Sequence, residues 1–139
     1  MRHKTMELAQ SYSSTIAAFG CLGLLMFCQL LVADIVGLRS KHLPGSTVPV
    51  DHGNLLFRTT RTVANTNESI AVFILAALFC MLSGASPATT GYAAWAFVIA
   101  RSLYALCYYF NLQPLRSVMF GISLFAMGSL LVIGSLMWL

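Results

Sequence analysis

The chain has 139 residues, of which 58% are hydrophobic and only 9% are charged. Soluble domains carry about 25% charged residues, so the composition excludes an ordinary soluble domain and indicates an integral membrane protein. The net charge of +4 comes from Lys and Arg residues that flank apolar runs, a pattern of membrane orientation that does not indicate nucleic-acid binding.

Four apolar runs are the candidate membrane-spanning helices. They are residues 15–38, 70–83, 92–110 and 118–139. Spanning a bilayer takes about 20 residues, which the second run reaches only if its helix extends back to Leu55. We expect that extension because residues 55–83 contain neither Pro nor Gly. The chain is therefore predicted to be a single all-α membrane domain over residues 1–139, an up-down bundle of four transmembrane helices.

Gly and Pro residues predict the connections between these helices. Residues 39–54 hold two Pro and two Gly residues and are expected to form an irregular loop. The short segment 84–91 makes the second and third helices antiparallel neighbours. Residues 111–114 separate the third helix from the last one, which is expected to begin near Leu115 or Arg116.

Small residues inside the apolar runs are interpreted as packing residues. Gly121, Gly128 and Ser135 recur at heptad spacing and predict a groove into which another helix can pack. The four cysteines form no CxxC pair, which favours buried small hydrophobes over a dithiol redox site. The three histidines have no partners at metal-ligand spacing, so no metal site is predicted.

Basic residues predict the orientation in the membrane. Arg2 and Lys4 precede the first run. Five basic residues lie on the opposite side of the predicted bundle: Arg39, Lys41, Arg58, Arg61 and Arg116. Because Lys and Arg accumulate in cytoplasmic loops, both termini are predicted to lie outside and the first and third loops inside. The first run is longer than the roughly 7–15 residues of a signal-peptide core and is expected to remain in the mature protein.

Two polar stripes interrupt the apolar pattern. The first stripe lies before the second apolar run, within about 80° of one helical face, and consists of Arg58, Arg61, Asn65 and Glu68. The second lies on the third helix within about 60° and consists of Arg101, Tyr104 and Tyr108. Polar residues are costly near a bilayer unless they face the bundle interior, a partner or a polar ligand. We expect the two faces to form a pocket for a small charged molecule.

Several of these residues also have structural interpretations. Arg58 could extend to lipid phosphates. Arg61 and Glu68 are two turns apart, so we expect them to find partners other than each other. A structural ion pair between Glu68 and Arg101, on different helices, is the alternative to ligand binding at these positions.

Arg116 and Ser117 are expected at the start of the last helix. Amides at a helix N-terminus favour anions, and a guanidinium with a hydroxyl there could hold a thiolate or a carboxylate. The alternative is a helix cap beside an arginine that only sets the orientation. Asp34, near the end of the first helix, has two open interpretations, a pair with Arg39 or a role in a neighbouring site.

Two segments resemble the motifs of a known family. Residues 58–69 have the sequence RTTRTVANTNES. This segment resembles the second-helix signature of the MAPEG family, Arg-x-x-Arg-Ala-x-x-Asn-x-x-Glu. Residues 100–120 read ARSLYALCYYFNLQPLRSVMF and are similar to the family's Arg-x-x-[His/Tyr]-x-x-x-Tyr stretch followed by Pro-[Ile/Leu]-Arg-Ser. The family comprises membrane-associated proteins in eicosanoid and glutathione metabolism, and its length, spans and orientation match this chain.

The resemblance implies a homotrimer that binds glutathione between neighbouring subunits near the cytosolic face. The residues it assigns to glutathione binding are Arg39, Arg58, Arg61, Asn65, Glu68, Arg101, Tyr104 and Tyr108. Glu68 would contact the α-amino group, and Arg39 would approach from the adjacent subunit. Arg116 and Ser117 would lie beside the sulfur as the catalytic residues.

The function predicted from this resemblance is that of a membrane-bound glutathione transferase or peroxidase. A guanidinium and a hydroxyl beside the sulfur would stabilise the thiolate, which is the reactive form of a thiol. The second substrate would be a lipophilic electrophile or a lipid hydroperoxide that enters from the bilayer. The alternative is a non-catalytic lipid- or ligand-binding subunit, or an accessory of a larger membrane complex. A small multidrug transporter is disfavoured because Asp34 lies too near the helix end.

Overall fold

The computed structural model of the protein describes the backbone of residues 2–139 and the side chains from residue 6 onwards. Its elements are α1 (Arg2–Ser11), α2 (Ser13–Arg39), α3 (Leu55–Leu82), α4 (Pro87–Tyr109), α5 (Gln113–Ser135) and a 3₁₀ turn (Leu136–Trp138). Residues 2–139 contain no strand, so the all-α prediction is confirmed for the described chain. The side chains of Arg2, His3 and Lys4, to which the orientation and metal predictions refer, lie outside the described residues.

α1 is an additional helix that the apolar pattern does not predict. It is ten residues long and polar, and Tyr12 separates it from α2. Backbone bonds continue through this position, from Tyr12 N to Leu8 O and from Ile16 N to Tyr12 O, each at 3.0 Å. The buried Tyr12 hydroxyl donates to the Ala85 carbonyl. Burial raises the pKa of this phenol, so it remains a donor at neutral pH.

The helix ends are fixed by backbone motifs. Lys41, Gly84 and Asn111 have positive φ angles of 53°, 72° and 58°. In each case the N–H of the next residue bonds to a carbonyl five positions earlier, at 2.8 to 3.0 Å. This combination is the Schellman motif, and it ends α2, α3 and α4 in the same way. At the start of α3, Asn54 Oδ1 caps the helix by accepting from Leu56 N at 2.9 Å.

α5 begins earlier than predicted. The expected start near Leu115 or Arg116 is wrong, since the helix begins at Gln113. Pro114 lies in the first turn, where its missing N–H costs nothing because the first N–H groups of a helix have no intrahelical partner. The proline that we expected in the break between helices therefore belongs to the helix itself.

The four long helices run in alternating directions. A Cβ at Gly37, near the end of α2, would lie 3.9 Å from Leu56 Cδ1, so the end of α2 lies beside the start of α3. The 3₁₀ turn that follows α5 returns to the end of α3, where Trp138 Nε1 donates to Ser83 Oγ at 2.8 Å. α3 and α4 each pack against both α2 and α5. The loop 40–54 and the connection before α5 therefore lie at one end of the bundle, and the turn after α3 lies at the other.

Aromatic rings fill the centre of this bundle. Phe73 of α3 stacks on Phe97 of α4 with ring centroids 4.1 Å apart. Phe19 of α2 meets Phe73 edge-on at 5.7 Å. Phe73 and Phe97 are both fully buried, so α2, α3 and α4 share one apolar core.

Glycines on α5 differ in what they contact. A Cβ at Gly134 would lie 2.5 Å from the ring of Phe79, so glycine lets α5 approach α3 closely. A Cβ at Gly121 or Gly128 would meet nothing within 4 Å in the described chain. The small-residue groove predicted on α5 therefore has open space at Gly121 and Gly128 within the described chain.

Three of the described helices are long and apolar enough to cross a membrane. They are Ser13–Arg39, Leu55–Leu82 and Gln113–Trp138. These helices agree with the prediction of an integral membrane protein. α4 is not among these three helices. It has 23 residues, but Arg101 and the tyrosines and threonines of α4 lower the mean hydropathy of this helix.

Candidate functional site

Polar side chains from three helices line one cleft, which we call the polar cleft. Its walls are Arg61, Asn65, Tyr104, Tyr108, Arg116, Ser117 and Phe120. It has a volume of about 290 Å³ and lies at the end of the bundle that carries the loop 40–54. Of these seven residues, all but Phe120 are predicted site residues. The two polar stripes and the Pro-Leu-Arg-Ser segment therefore meet in space.

Asn65 and Arg101 join α3 to α4 beneath the polar cleft. Arg101 is only 1% exposed, and its Nη1 donates to Asn65 Oδ1 at 2.5 Å. Its guanidinium carbon lies 5.4 Å from the ring centroids of Tyr104 and Phe120 and 5.6 Å from that of Phe97. The sequence predicts that Arg101 lines the pocket, but in the structure Arg101 lies under the side chains that line the polar cleft.

No carboxylate of the described residues lies within ion-pair distance of the Arg101 guanidinium, and Glu68 acts on it only electrostatically from farther away. The ion pair with Glu68 that the sequence offers as an alternative does not form, because Arg101 bonds to Asn65 instead. A buried positive charge in a low-dielectric interior acts more strongly on its surroundings than one in water. It therefore favours an anion in the polar cleft above it.

Tyr104, Tyr108 and Arg116 form a wall of hydrogen-bond donors. The two phenol rings are 5.6 Å apart, one helical turn along α4. The guanidinium carbon of Arg116 lies 4.5 Å from the Tyr108 ring centroid, where a cation–π contact holds it against the ring. Neither hydroxyl nor this guanidinium bonds to another polar group among the described residues. All three can therefore donate to a ligand.

Ser117 lies at the edge of this wall, and its hydroxyl is already engaged. Its Oγ donates to the Gln113 carbonyl at 3.3 Å. Because α5 begins at Gln113, the N–H of Arg116 is also bonded, to Leu112 O at 3.0 Å. The backbone amide of Arg116 is therefore not free for an anion, and the binding of a thiolate or carboxylate by the Arg116 guanidinium and the Ser117 hydroxyl stays a prediction. The positive charge at this wall comes from the Arg116 side chain.

Arg61 and Glu68 pair with each other, contrary to the prediction from their spacing. Arg61 Nη1 lies 3.0 Å from Glu68 Oε1, and the two side chains are 44% and 58% exposed. Two helical turns separate the backbones by about 10 Å, which two long side chains on one face can span together. Glu68 lies outside the polar cleft, and the ion pair holds Arg61 at its edge.

Arg58, Arg39 and Asp34 lie away from the polar cleft. Arg58 Nη1 donates to the carbonyls of His52 and Gly53 at 2.7 and 2.9 Å, so it fastens the loop 40–54 to α3. Arg39 is the exposed last residue of α2. Asp34 forms no ion pair with Arg39 in the described structure and lines a separate cavity under the loop.

Two aromatic residues near the polar cleft have no counterpart in the prediction. Phe120 lines the cleft and covers Arg101; its position one turn after Arg116 is the signal that could have identified it. The His52 ring lies 6.1 Å from that of Tyr108. Because His52 belongs to an irregular loop, no periodicity in the sequence could have placed it there.

The site and fold define a class of protein: an α-helical membrane protein with a polar cleft that offers positive charge and hydrogen-bond donors to a small anion. Within the described side chains, no group of three or more His, Cys, Asp or Glu residues is arranged to hold a metal ion.

The model of the MAPEG family matches residues 15–136, which include nearly all of α2 to α5. The chain therefore belongs to the MAPEG family, the membrane proteins of eicosanoid and glutathione metabolism. No curated protein matches the chain.

Proposed function

We propose that the protein is a membrane-bound glutathione transferase that also reduces lipid hydroperoxides. The observation that carries the proposal is the convergence of Arg61, Tyr108 and Arg116 on one polar cleft in a member of the MAPEG family. Glutathione has two carboxylates and one ammonium, and guanidinium groups complement its carboxylates. The buried charge of Arg101 adds to the same attraction.

Arg116 is the residue that we propose to activate the sulfur. A guanidinium held on the Tyr108 ring is a fixed cation, which lowers the pKa of a nearby thiol and stabilises the thiolate. The hydroxyls of Tyr104 and Tyr108 supply further donors. Ser117 must first turn its hydroxyl away from the Gln113 carbonyl before it can donate to sulfur.

The electrophile decides the product. Attack of the thiolate on an electrophilic carbon forms a thioether and displaces the leaving group or adds across an activated double bond. Attack on a peroxide oxygen releases the alcohol, and a second glutathione then yields the disulfide and water. A lipophilic substrate for either reaction is available from the bilayer, in which at least three helices are apolar enough to lie.

We further propose that α4 is the fourth span and that the polar cleft opens to the cytoplasm, with both termini on the other side. A helix of 23 residues is about 35 Å long, which exceeds the roughly 30 Å of the hydrocarbon core. Its charged residue, Arg101, is buried in the bundle and away from lipid. The orientation rests on the excess of basic residues at the cleft end.

A homotrimer is part of the same proposal. The polar cleft of one chain, at about 290 Å³, is slightly smaller than typical ligand pockets, which measure about 300–1,000 Å³. Arg39 and Glu68 lie outside it, and the groove at Gly121 and Gly128 is open. Assembly of three copies would bring Arg39 to an adjacent cleft and enclose the ligand.

A titration of the detergent-purified protein with glutathione tests this function, with the thiolate followed by its near-ultraviolet absorbance. A saturable signal is expected that disappears in Arg116→Ala and persists in Lys41→Ala, which removes one exposed positive charge outside the cleft. No binding at millimolar glutathione would overturn the proposal and favour a non-catalytic ligand-binding or accessory subunit. Binding without a thiolate signal would retain the site and remove Arg116 from the mechanism.

A further inference from the structure

A cavity of about 680 Å³ lies under the loop 40–54, between the end of α2 and the start of α3. We call it the loop cavity. Four of its lining residues belong to α2, five to the loop and two to α3. None of them lines the polar cleft, and the volume is in the range of ligand pockets, about 300–1,000 Å³. The loop cavity is therefore large enough to be a second binding site.

Asp34 lies near the middle of the face that α2 presents to the loop cavity. From α2 the cavity is lined by Ala33, Asp34, Gly37 and Leu38. At about 100° per residue these positions cover an arc of about 140°, and Asp34 lies about 30° from its centre. Gly37 lies about 30° on the other side of the centre and leaves space because it has no side chain. Asp34 is exposed, so a ligand in the cavity can reach it.

The carboxylate of Asp34 has no cation beside it. No basic group of the described side chains lies within ion-pair distance of it, and Arg61 pairs with Glu68 instead. Arg39 follows on the same helix, but it points about 140° away from Asp34 around the helix axis. A carboxylate in a membrane helix normally faces a partner or a polar ligand. The position of Asp34 therefore favours a ligand with a positive charge.

The other polar side chains of the loop cavity also offer acceptors. Ser46 Oγ donates to the Leu43 carbonyl at 2.8 Å. Thr60 Oγ1 donates to the Leu56 carbonyl at 3.0 Å. A hydroxyl has one hydrogen, so both have only lone pairs left for a ligand. His42 Nε2 lies 3.3 Å from Ser46 Oγ, and because the serine hydrogen is used, this contact assigns the imidazole proton to Nε2 and leaves Nδ1 as an acceptor.

A tight turn and apolar side chains complete the walls. Pro44 and Gly45 are the central residues of a turn in which Ser46 N donates to the Leu43 carbonyl at 3.1 Å. Gly45 has a φ of 81°, which after a proline is typical of a type II turn. Leu38, which lines the cavity, is 77% exposed. The cavity thus has a fixed wall in the loop and apolar surface left for a hydrocarbon.

We propose that the loop cavity binds a lipophilic amine in its ammonium form, with the ammonium on Asp34 and the hydrocarbon body along Leu38 and Val48. An alkylamine is protonated at neutral pH, as a lysine side chain is, and its N–H groups match the acceptors of the cavity. A fatty acid would bring a second negative charge to Asp34. A neutral lipid would leave the carboxylate without a counter-ion.

Equilibrium dialysis of the detergent-purified protein with radiolabelled octylamine tests the proposal, with protein-free micelles as the blank. Octanol has the same chain without the charge and is the matched control ligand. Asp34→Asn removes the carboxylate and keeps the approximate size of the side chain. Asp51→Asn makes the same change of net charge at an exposed loop residue that does not line the cavity.

Saturable binding of octylamine is expected. Asp34→Asn should weaken it about tenfold, the scale of a lost charge-assisted hydrogen bond, and Asp51→Asn should leave it unchanged. Octanol should bind more weakly than octylamine, with the same affinity for both variants. Equal affinities of octylamine and octanol for the unmodified protein, or equal affinities of octylamine for the two variants, would overturn the proposal.

Gly37→Leu provides a second test that retains the carboxylate. A Cβ at this position would lie 3.9 Å from Leu56 Cδ1, which is an ordinary contact, so the helix accepts a side chain there. Because the leucine side chain extends into the loop cavity, it should weaken the binding of octylamine at least as much as Asp34→Asn does. Unchanged binding in Gly37→Leu would place the amine outside the cavity and overturn the proposal.

Both a free amine and the headgroup of phosphatidylethanolamine carry a primary ammonium, and nanodiscs separate the two sources. Weaker octylamine binding in phosphatidylethanolamine than in phosphatidylcholine, with the difference lost in Asp34→Asn, supports the site with a lipid headgroup as its occupant. Equal binding in both lipids that still depends on Asp34 supports the site with a free lipophilic amine. Binding in nanodiscs that does not depend on Asp34 would overturn the proposal.

Discussion

The charged side chain of Arg101 is held in the interior by three aromatic rings and one amide rather than by a carboxylate. Burying a cation without a counter-ion in contact is costly, even when cation–π contacts return part of the free energy. The same charge attracts an anion to the polar cleft. Loss of this charge should therefore affect folding and anion binding in opposite directions.

We predict that Arg101→Met weakens glutathione binding without lowering stability. Because Arg101 acts on the cleft from beneath and not by direct contact, the loss of its Coulombic attraction should reduce affinity by about 1–2 kcal/mol, whereas an apolar side chain of similar length removes the cost of the buried cation. Calorimetric titration and thermal unfolding in detergent measure the two effects. A lower melting temperature with unchanged affinity would make Arg101 a structural residue only.

A second prediction concerns Glu68. Glu68→Gln breaks an exposed ion pair with Arg61, and such pairs contribute about 0–1 kcal/mol, so stability should change little. If Glu68 binds the ammonium group of glutathione, affinity should fall by about 1–3 kcal/mol. N-acetylated glutathione, which lacks the ammonium, is the control and should bind both proteins equally. An unchanged affinity for glutathione itself would remove Glu68 from the site.

Helical spacing accounts for what could be predicted at this scale. It places Asn65, Tyr104 and Tyr108 on inward faces, and the faces meet because neighbouring helices are antiparallel. Spacing could not give the Arg61–Glu68 pair, which depends on how far two long side chains extend. Nor could it give the depth of Arg101, which depends on aromatic rings contributed by two helices.

At the scale of elements, the close contact between α3 and α5 depends on one glycine, Gly134, which has no side chain to separate the helices. Gly134 faces the ring of Phe79, whereas Gly128, on the same helix, faces open space. The heptad pattern of small residues draws attention to Gly128 and misses Gly134. Sequence spacing identifies where small residues share one face of a helix, but only the packing shows which of these faces contacts the neighbouring helix.

Gly134→Ala and Gly128→Ala should therefore differ in effect. The new methyl group at Gly134 would overlap the Phe79 ring and should destabilise the protein by about 1–3 kcal/mol through overpacking. The same change at Gly128 should be neutral or slightly stabilising in an isolated subunit, because alanine favours the helix by about 1 kcal/mol. Thermal unfolding in detergent measures both. Equal destabilisation would mean that Gly128 also faces a packed surface, such as another subunit.

The ends of the elements were harder to predict than their centres. The sequence does not predict α1 because this helix is polar and has no apolar periodicity. The start of α5 was misplaced because Pro114 can either break a helix or begin one. Lys41 ends α2 in a left-handed conformation that only a few per cent of non-glycine residues adopt. The residue type at position 41 therefore does not predict where α2 ends.

At the scale of the whole molecule, the number of spans decides which parts share a side of the membrane. If α4 crosses the bilayer, Thr89 and Gln113, near its two ends and exposed, lie on opposite sides. Thr89→Cys and Gln113→Cys, with the exposed Cys21 and Cys28 replaced by alanine, should react with a membrane-impermeant maleimide from opposite faces of sealed vesicles. Labelling of both from one face would contradict α4 as a span.

The connections of the bundle have one more consequence. α2 and α3 form one pair, α4 and α5 form another, and the only chain link between the pairs is the turn after α3. Tyr12 and Trp138 are both fastened to that turn, at Ala85 and Ser83. Two side-chain bonds therefore fasten the end of the bundle opposite the polar cleft, and neither bond involves a residue of the cleft. Substitutions in the cleft consequently leave the fastening of that end intact.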